Sequence, residues 1–190
     1  MPPPDDAAHP GKAPSRRPVV YASAAAALLA LGAGGCFALT DNGPRLSGGS
    51  VISLGSPPSN TRAPFVREFI SLCLDHPGAV SVTDVRPVKS EGGIAIQGFA
   101  VRPWAGGGSV GEPGTLTAAG YHPNGRQQVT ITCSAGRAEL AVQLERTGDG
   151  SATLDEIAVD YLSDGYRRTV DLTAQITLCA LHDQVNPNCR

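Results

Sequence analysis

The 190-residue chain carries 15 Lys and Arg against 17 Asp and Glu, with 23 Gly, 16 Pro and 5% aromatic residues. The charge balance leaves no basic footprint, which excludes nucleic acid as a partner. The Gly and Pro content favours short strands and turns over helices.

Residues 1–17 hold Pro2, Pro3, Pro4, Pro10 and Pro14 and few apolar groups. This segment cannot bury enough surface to fold and is predicted to be a disordered cytoplasmic tail. Residues 18–40, from Pro18 to Thr40, contain no charged residue. At about 1.5 Å per residue a helix over this stretch reaches roughly 35 Å, enough to cross a hydrocarbon core of about 30 Å. Lys12, Arg16 and Arg17 precede it and only Arg45 follows closely. The positive-inside bias puts the N-terminus in the cytoplasm and the rest of the chain outside, as a single-pass protein of the cell membrane. Two other fates share these residues. Ala33-Gly34-Gly35-Cys36 places small residues before a cysteine that a lipid could modify, which would make a lipoprotein. Cleavage after a small residue such as Ala38 would make a secreted protein.

Residues 41–64 are rich in Gly, Ser, Asn and Pro and read as a flexible linker, with a short strand possible at Val51–Leu54. Residues 65–190, about 130 residues, are enough for one extracytoplasmic domain with its own core. Phe65–Leu74 reads as a strand closed by His76-Pro77-Gly78. Ala79–Val85 alternates, and Ile94–Val101 follows the Glu91-Gly92-Gly93 turn. Trp104–Gly114 is a Gly-rich loop. Thr115–Tyr121 and Gln127–Cys133 flank Pro123-Asn124-Gly125 as an expected hairpin. Leu140, Val142 and Leu144 alternate. Leu154, Ile157, Val159 and Tyr161 do so with a slip of phase, read as a bulge at Asp155-Glu156. Val170–Leu178 alternates for nine residues. Asp149-Gly150 and Asp164-Gly165 join these three strands into an expected antiparallel meander. Some seven strands without a convincing helix point to a mainly β chain forming a β-sandwich after a single N-terminal apolar helix.

Cys73-Leu74-Asp75-His76-Pro77-Gly78-Ala79-Val80, Gly98-Phe99-Ala100-Val101-Arg102-Pro103 and Leu178-Cys179-Ala180 resemble segments of small exported actinobacterial proteins of unassigned function. The resemblance spans most of residues 65–190. It implies an antiparallel immunoglobulin-like sandwich on a membrane or lipid anchor, and brings no activity with it.

Candidate chemistry is sparse. Gly107-Gly108-Ser109-Val110-Gly111 matches the nucleophile-elbow pattern, but Val-Gly-Glu-Pro-Gly after the serine is a poor start for the helix an elbow requires. Ser109 is therefore expected to be non-catalytic. His76, His122 and His182 sit at turn-like positions and are expected at the surface; no metal site and no cofactor is predicted. Asp149, Asp155, Glu156, Asp160 and Asp164 lack calcium-loop spacing and read as a solvated strand face. Trp104 and Tyr121 flank the Gly-rich loop, either as a ligand platform or as core; Trp104 is expected in the core.

The functional expectation is a non-catalytic binding or structural module of the cell envelope, membrane-bound through its N-terminal helix, with an unidentified protein or polymer partner. The alternatives are a serine hydrolase using Ser109 and an extracytoplasmic sensor or accessory subunit. Four cysteines, Cys73, Cys133, Cys179 and Cys189, lie on the exported side and are expected to pair. Cys73–Cys179 with Cys133–Cys189 would join the first and last long strands and fasten the tail. The rival pairing is Cys73–Cys133 with Cys179–Cys189.

Overall fold

The computed structural model describes residues 42–49, 54–57, 63–104, 106, 111–181, 183 and 186–189. Residues 41–190 form one compact unit. The expected tail, the apolar span and Cys36 lie outside the described residues. Among the described residues no helix is long and apolar enough to cross a membrane.

Among the described residues ten strands form two sheets. The first holds β1 (Leu46–Gly49), β3 (Phe65–Leu74), β8 (Ala138–Arg146) and β5 (Ile94–Pro103) in that order, with β6 (Gly111–Pro113) beside the start of β3. The second runs β2 (Leu54–Gly55), β10 (Tyr166–Leu178), β9 (Ala152–Ser163), β4 (Val80–Glu91) and β7 (Gln128–Val129). All pairings are antiparallel except that of β2 with β10. The mainly β expectation holds at this level: two antiparallel sheets close on one apolar core.

The alternation read in the sequence builds that core. Leu140, Val142 and Leu144 of β8 join Ile70 and Leu72 of β3 on one side. Ile157 and Val159 of β9 join Leu172 and Ile176 of β10 on the other. Each such side chain, withdrawn from water, contributes about 1.5–3 kcal/mol. Three charged side chains, Arg67, Glu139 and Arg146, are also buried. Arg67 of β3 has no exposed surface, and burial pushes its guanidinium down to about 10.

Three expectations need correction, and one about a bulge holds. The three C-terminal strands are not a meander. β8 lies in the first sheet and β9 in the second, so the turn at Asp149-Gly150 crosses between sheets. Both strands bury one apolar face, and stacking those faces covers more surface than pairing their edges. Only the Asp164-Gly165 turn makes a hairpin. Both its residues have positive φ, 48° and 83°, as a tight two-residue connection between Ser163 and Tyr166 requires.

The bulge expected at Asp155-Glu156 is present: Glu156 pairs with Lys89 and Leu154 with the next residue, Ser90, so Asp155 is the extra residue of β9 against β4. β10 carries a second one, since Thr173 pairs with Glu156 and Ile176 with Leu154, with Gln175 at φ 50°.

The linker expectation fails at residues 42–49 and 54–57. Leu46 is 3% exposed and β1 pairs with the end of β3. Arg45 N–H donates to Asp75 Oδ1 (2.7 Å), Ser163 Oγ donates to Pro44 O (2.8 Å) and Leu46 N–H donates to Tyr161 Oη (3.2 Å). One leucine and a set of polar bonds fasten this segment, and hydropathy does not register them.

The favoured disulfide pairing is overturned. The bonds are Cys73–Cys133 and Cys179–Cys189. Leu74 N–H donates to Ile131 O and Cys133 N–H donates to Leu74 O, so backbone pairing has already brought Cys133 beside Cys73. The tail folds back on β10, where Asn188 Nδ2 donates to Thr177 Oγ1 (3.2 Å). Two closed disulfides indicate an extracytoplasmic domain.

Candidate functional site

The first sheet also buries part of its outer face. Val66, Ala100 and Ala141 point away from the sandwich, and Leu116 and Tyr121 pack on them as a second small core. The two alanines leave room for the leucine and the ring. The segment that supplies these residues, Thr115–Tyr121, is not the expected strand. It is one helical turn. Thr115 Oγ1 accepts from Ala118 N–H (3.3 Å), and Ala119 N–H donates to Thr115 O (3.0 Å). Gly120 at φ 80° ends it. Gly120 N–H reaches Thr117 O (3.1 Å) and Tyr121 N–H reaches Leu116 O (2.8 Å), the paired bonds of a Schellman motif. That motif brings the residue after the glycine against the first residue of the last turn, here Tyr121 on Leu116. Gln143 of β8 then hooks the turn down by accepting Leu116 N–H (3.0 Å).

The next loop is organised by one side chain. Gln127 Nε2 donates to the carbonyls of His122, Pro123 and Gly125 at 3.0–3.1 Å. Its Oε1 accepts Val101 N–H, an edge donor of β5. Its backbone carbonyl accepts Val82 N–H from β4 (2.8 Å). Residues 121–127 are thus pinned across the gap between the two sheets.

Arg102 of β5 sits between these features. Its Nε donates to Glu139 Oε2 at 2.7 Å, and the register places the two residues directly opposite. Its guanidinium lies 4.0 Å from the centre of the Tyr121 ring, a cation–π contact. The Glu139 side chain is only 5% exposed, so Arg102 is held by a partner beneath it. Arg102, Tyr121, His122 and Arg126, with Val101, Gly120 and Gly125, line a cavity of about 240 Å³. Trp104 follows two residues after Arg102 and is 44% exposed, against 2% for Tyr121. The core expectation for Trp104 is therefore wrong. Tyr121 is the plug, and Trp104, one residue beyond the end of β5, keeps a large part of its surface exposed.

The other candidates are dispersed. Ser109 and His182 lie outside the described residues, so no geometry joins Ser109 to His122. His76 bridges Asp75 Oδ1 (2.8 Å) and Asn42 O (3.0 Å) on the turn after β3. Burial alone would raise the Asp75 carboxyl. The N–H of Arg45 and the charge and hydrogen bonds of His76 outweigh it and hold the group below its ordinary value of 3.8. Asp155 pairs with Lys89 (3.9 Å) and Asp160 with Arg86 (3.7 Å), which makes that part of the acidic run a salt-bridged strand face. Arg102, Glu139, Arg126 and Gln127 were not singled out from the sequence.

No protein-family model, curated protein or solved structure matches the chain.

Proposed function

We propose that the chain is an immunoglobulin-like sandwich displayed outside the cytoplasm on its N-terminal apolar stretch, where it serves as a non-catalytic binding or structural module of the cell envelope. The strand order supports the fold. β1-β3-β8-β5 against β10-β9-β4 follows the A-B-E-D and G-F-C arrangement of immunoglobulin constant domains, and β2 beside β10 is the continuation of the first strand into the second sheet. The cysteines differ from the antibody pattern: they fasten the two ends of the domain and do not join its central strands.

The observation that carries the location is the pair of disulfides, which persist only where thiols are not kept reduced. The charge asymmetry around Pro18–Thr40 supplies the orientation. A reporter active only outside the cytoplasm, fused after Arg190, tests it. Reporter activity, with all four domain cysteines oxidised in protein taken from the envelope, is the expected result. Activity of a cytoplasm-only reporter at the same position, or four free thiols, would contradict it.

A further inference from the structure

We propose that residues 42–46 are a proton-dependent strap: they stay fastened to the domain while both ring nitrogens of His76 carry protons, and they loosen when one proton leaves. The inference uses the exported location only to say which compartment supplies the protons.

The strap is held mainly through its backbone. Five successive residues each bond a side chain from elsewhere in the domain. Asn42 O accepts from His76 Nε2 (3.0 Å), Gly43 O from Arg168 Nη2 (3.5 Å) and Pro44 O from Ser163 Oγ (2.8 Å). Arg45 N–H donates to Asp75 Oδ1 (2.7 Å) and Leu46 N–H to Tyr161 Oη (3.2 Å). The fit is close, since a Cβ on Gly43 would stand 2.5 Å from Ser163 Oγ. Leu46 supplies the one large apolar side chain. Directional bonds therefore carry much of the hold, and losing one is felt locally.

Counting protons singles out His76. Its Nδ1 lies 2.8 Å from Asp75 Oδ1, and its Nε2 faces Asn42 O. A carboxylate and a peptide carbonyl can only accept. A neutral imidazole has one N–H, so it serves one of them and turns a lone pair toward the other. Only the imidazolium donates at both ends. Desolvation would raise the Asp75 carboxyl, but the Arg45 N–H and the charge and bonds of His76 keep it below 3.8, so it is ionised at neutral pH. The carboxylate holds the remaining ring proton more strongly than the carbonyl does. The bond lost is the one to Asn42, at the start of the strap.

The other charged groups along the strap are Arg45 itself and, from the β9–β10 hairpin, Asp164 and Arg168. Arg168 bonds Gly43 O, and Asp164 lies beside Gly43. Of these residue types, histidine is the one that ordinarily changes charge between about pH 5 and 8. The hold is complete while Asp75 is ionised and His76 doubly protonated. It is lost upward as the His76 proton leaves, and downward as pH falls through the folded Asp75 value.

The test uses the full chain, labelled with nitrogen-15 and held in mild detergent, from about pH 5 to about pH 9. Ring-nitrogen shifts follow the His76 proton. Amide exchange, with its intrinsic pH dependence divided out, follows the strap. As the ring loses its proton, protection of the Arg45 and Leu46 amides should fall about threefold to fivefold with the same midpoint, the size of one exposed charge-assisted bond. The Leu140 and Val142 amides should keep their protection. His76→Gln, at a half-exposed position, should abolish the step and leave the core amides protected. Constant protection at Arg45 and Leu46 while the ring titrates would overturn the proposal. So would an equal step at Leu140 and Val142, or a step that survives in His76→Gln. Such a failure leaves the reporter and thiol results intact, while a cytoplasmic reporter signal would change the compartment sensed and leave the strap standing.

Discussion

On the inner face of the first sheet stand Ile70, Leu72, Leu140, Val142 and Leu144; on its outer face, at the covered end, stand Val66, Ala100 and Ala141. The inner set meets another sheet of branched aliphatic side chains. The outer set meets one helical turn and a loop held by glutamines. The inner face is stabilised by area, without direction, and many similar residues would serve it. The outer cover is stabilised by a few directional bonds, so single substitutions should loosen it locally. The cavity and its arginines sit on the cover, where fixed polar groups and solvent access coexist.

Breaking the inner face should have the largest effect. Leu140→Ala removes a fully buried side chain from the middle of β8 and should cost about 3–5 kcal/mol in denaturant unfolding, as one global transition. A loss under about 1 kcal/mol would mean that the two sheets are not packed as described.

The disulfides come next and separate the two ends. Cys73–Cys133 spans 60 residues, including β4, β5 and the cover, and loop closure gives it about 4 kcal/mol. Cys179–Cys189 spans 10 residues and only fastens the tail, for about 3 kcal/mol. Replacing each pair by serine should reproduce that order, and only loss of the first should change Trp104 fluorescence. Non-reducing peptide mapping checks the pairing itself, and a Cys73–Cys179 linked peptide would refute it.

Gly120→Ala tests the cover alone. Nothing lies within 4 Å of an added methyl group, so the cost is the φ of 80° and should be about 1 kcal/mol. A larger cost would indicate a steric conflict that the turn does not contain. The smallest effect belongs to Asp75. Its folded carboxyl lies below 3.8, so its contribution is present above the unfolded value and is lost as pH falls through the lower, folded one. Asp75→Asn should remove that acid dependence and leave stability at pH 7 slightly reduced. An unchanged acid unfolding profile would dismiss the Arg45–Asp75–His76 clasp.

What could be read in advance follows the same division. Period-two alternation marked the start of β4, β8, β10 and, with a slip of phase, β9, because a buried sheet face imposes it directly. The Asp164-Gly165 hairpin was legible because its turn demands those residues. The cover was not. Leu116 and Tyr121 are five residues apart, and their meeting depends on a glycine at positive φ between them, a pattern that also suits a strand end. Trp104 was misplaced because its size suggests burial, while it stands one residue beyond the end of β5. Strand assignment alone also could not select between the disulfide pairings. They depend on the segment around Ile131 returning to β3 and on the tail returning to β10.

The most direct test of this division is amide hydrogen exchange in Gln127→Leu. Val101 N–H bonds to the Gln127 side chain, and Gly125 N–H bonds to His122 O inside the loop that this side chain holds. Both amides should exchange about tenfold faster or more in the variant, the equivalent of one lost net hydrogen bond. The amides of Leu140 and Val142 should keep their protection. Equal acceleration at all four positions would show that cover and core open together, and no acceleration at Val101 and Gly125 would show that Gln127 does not hold the cover.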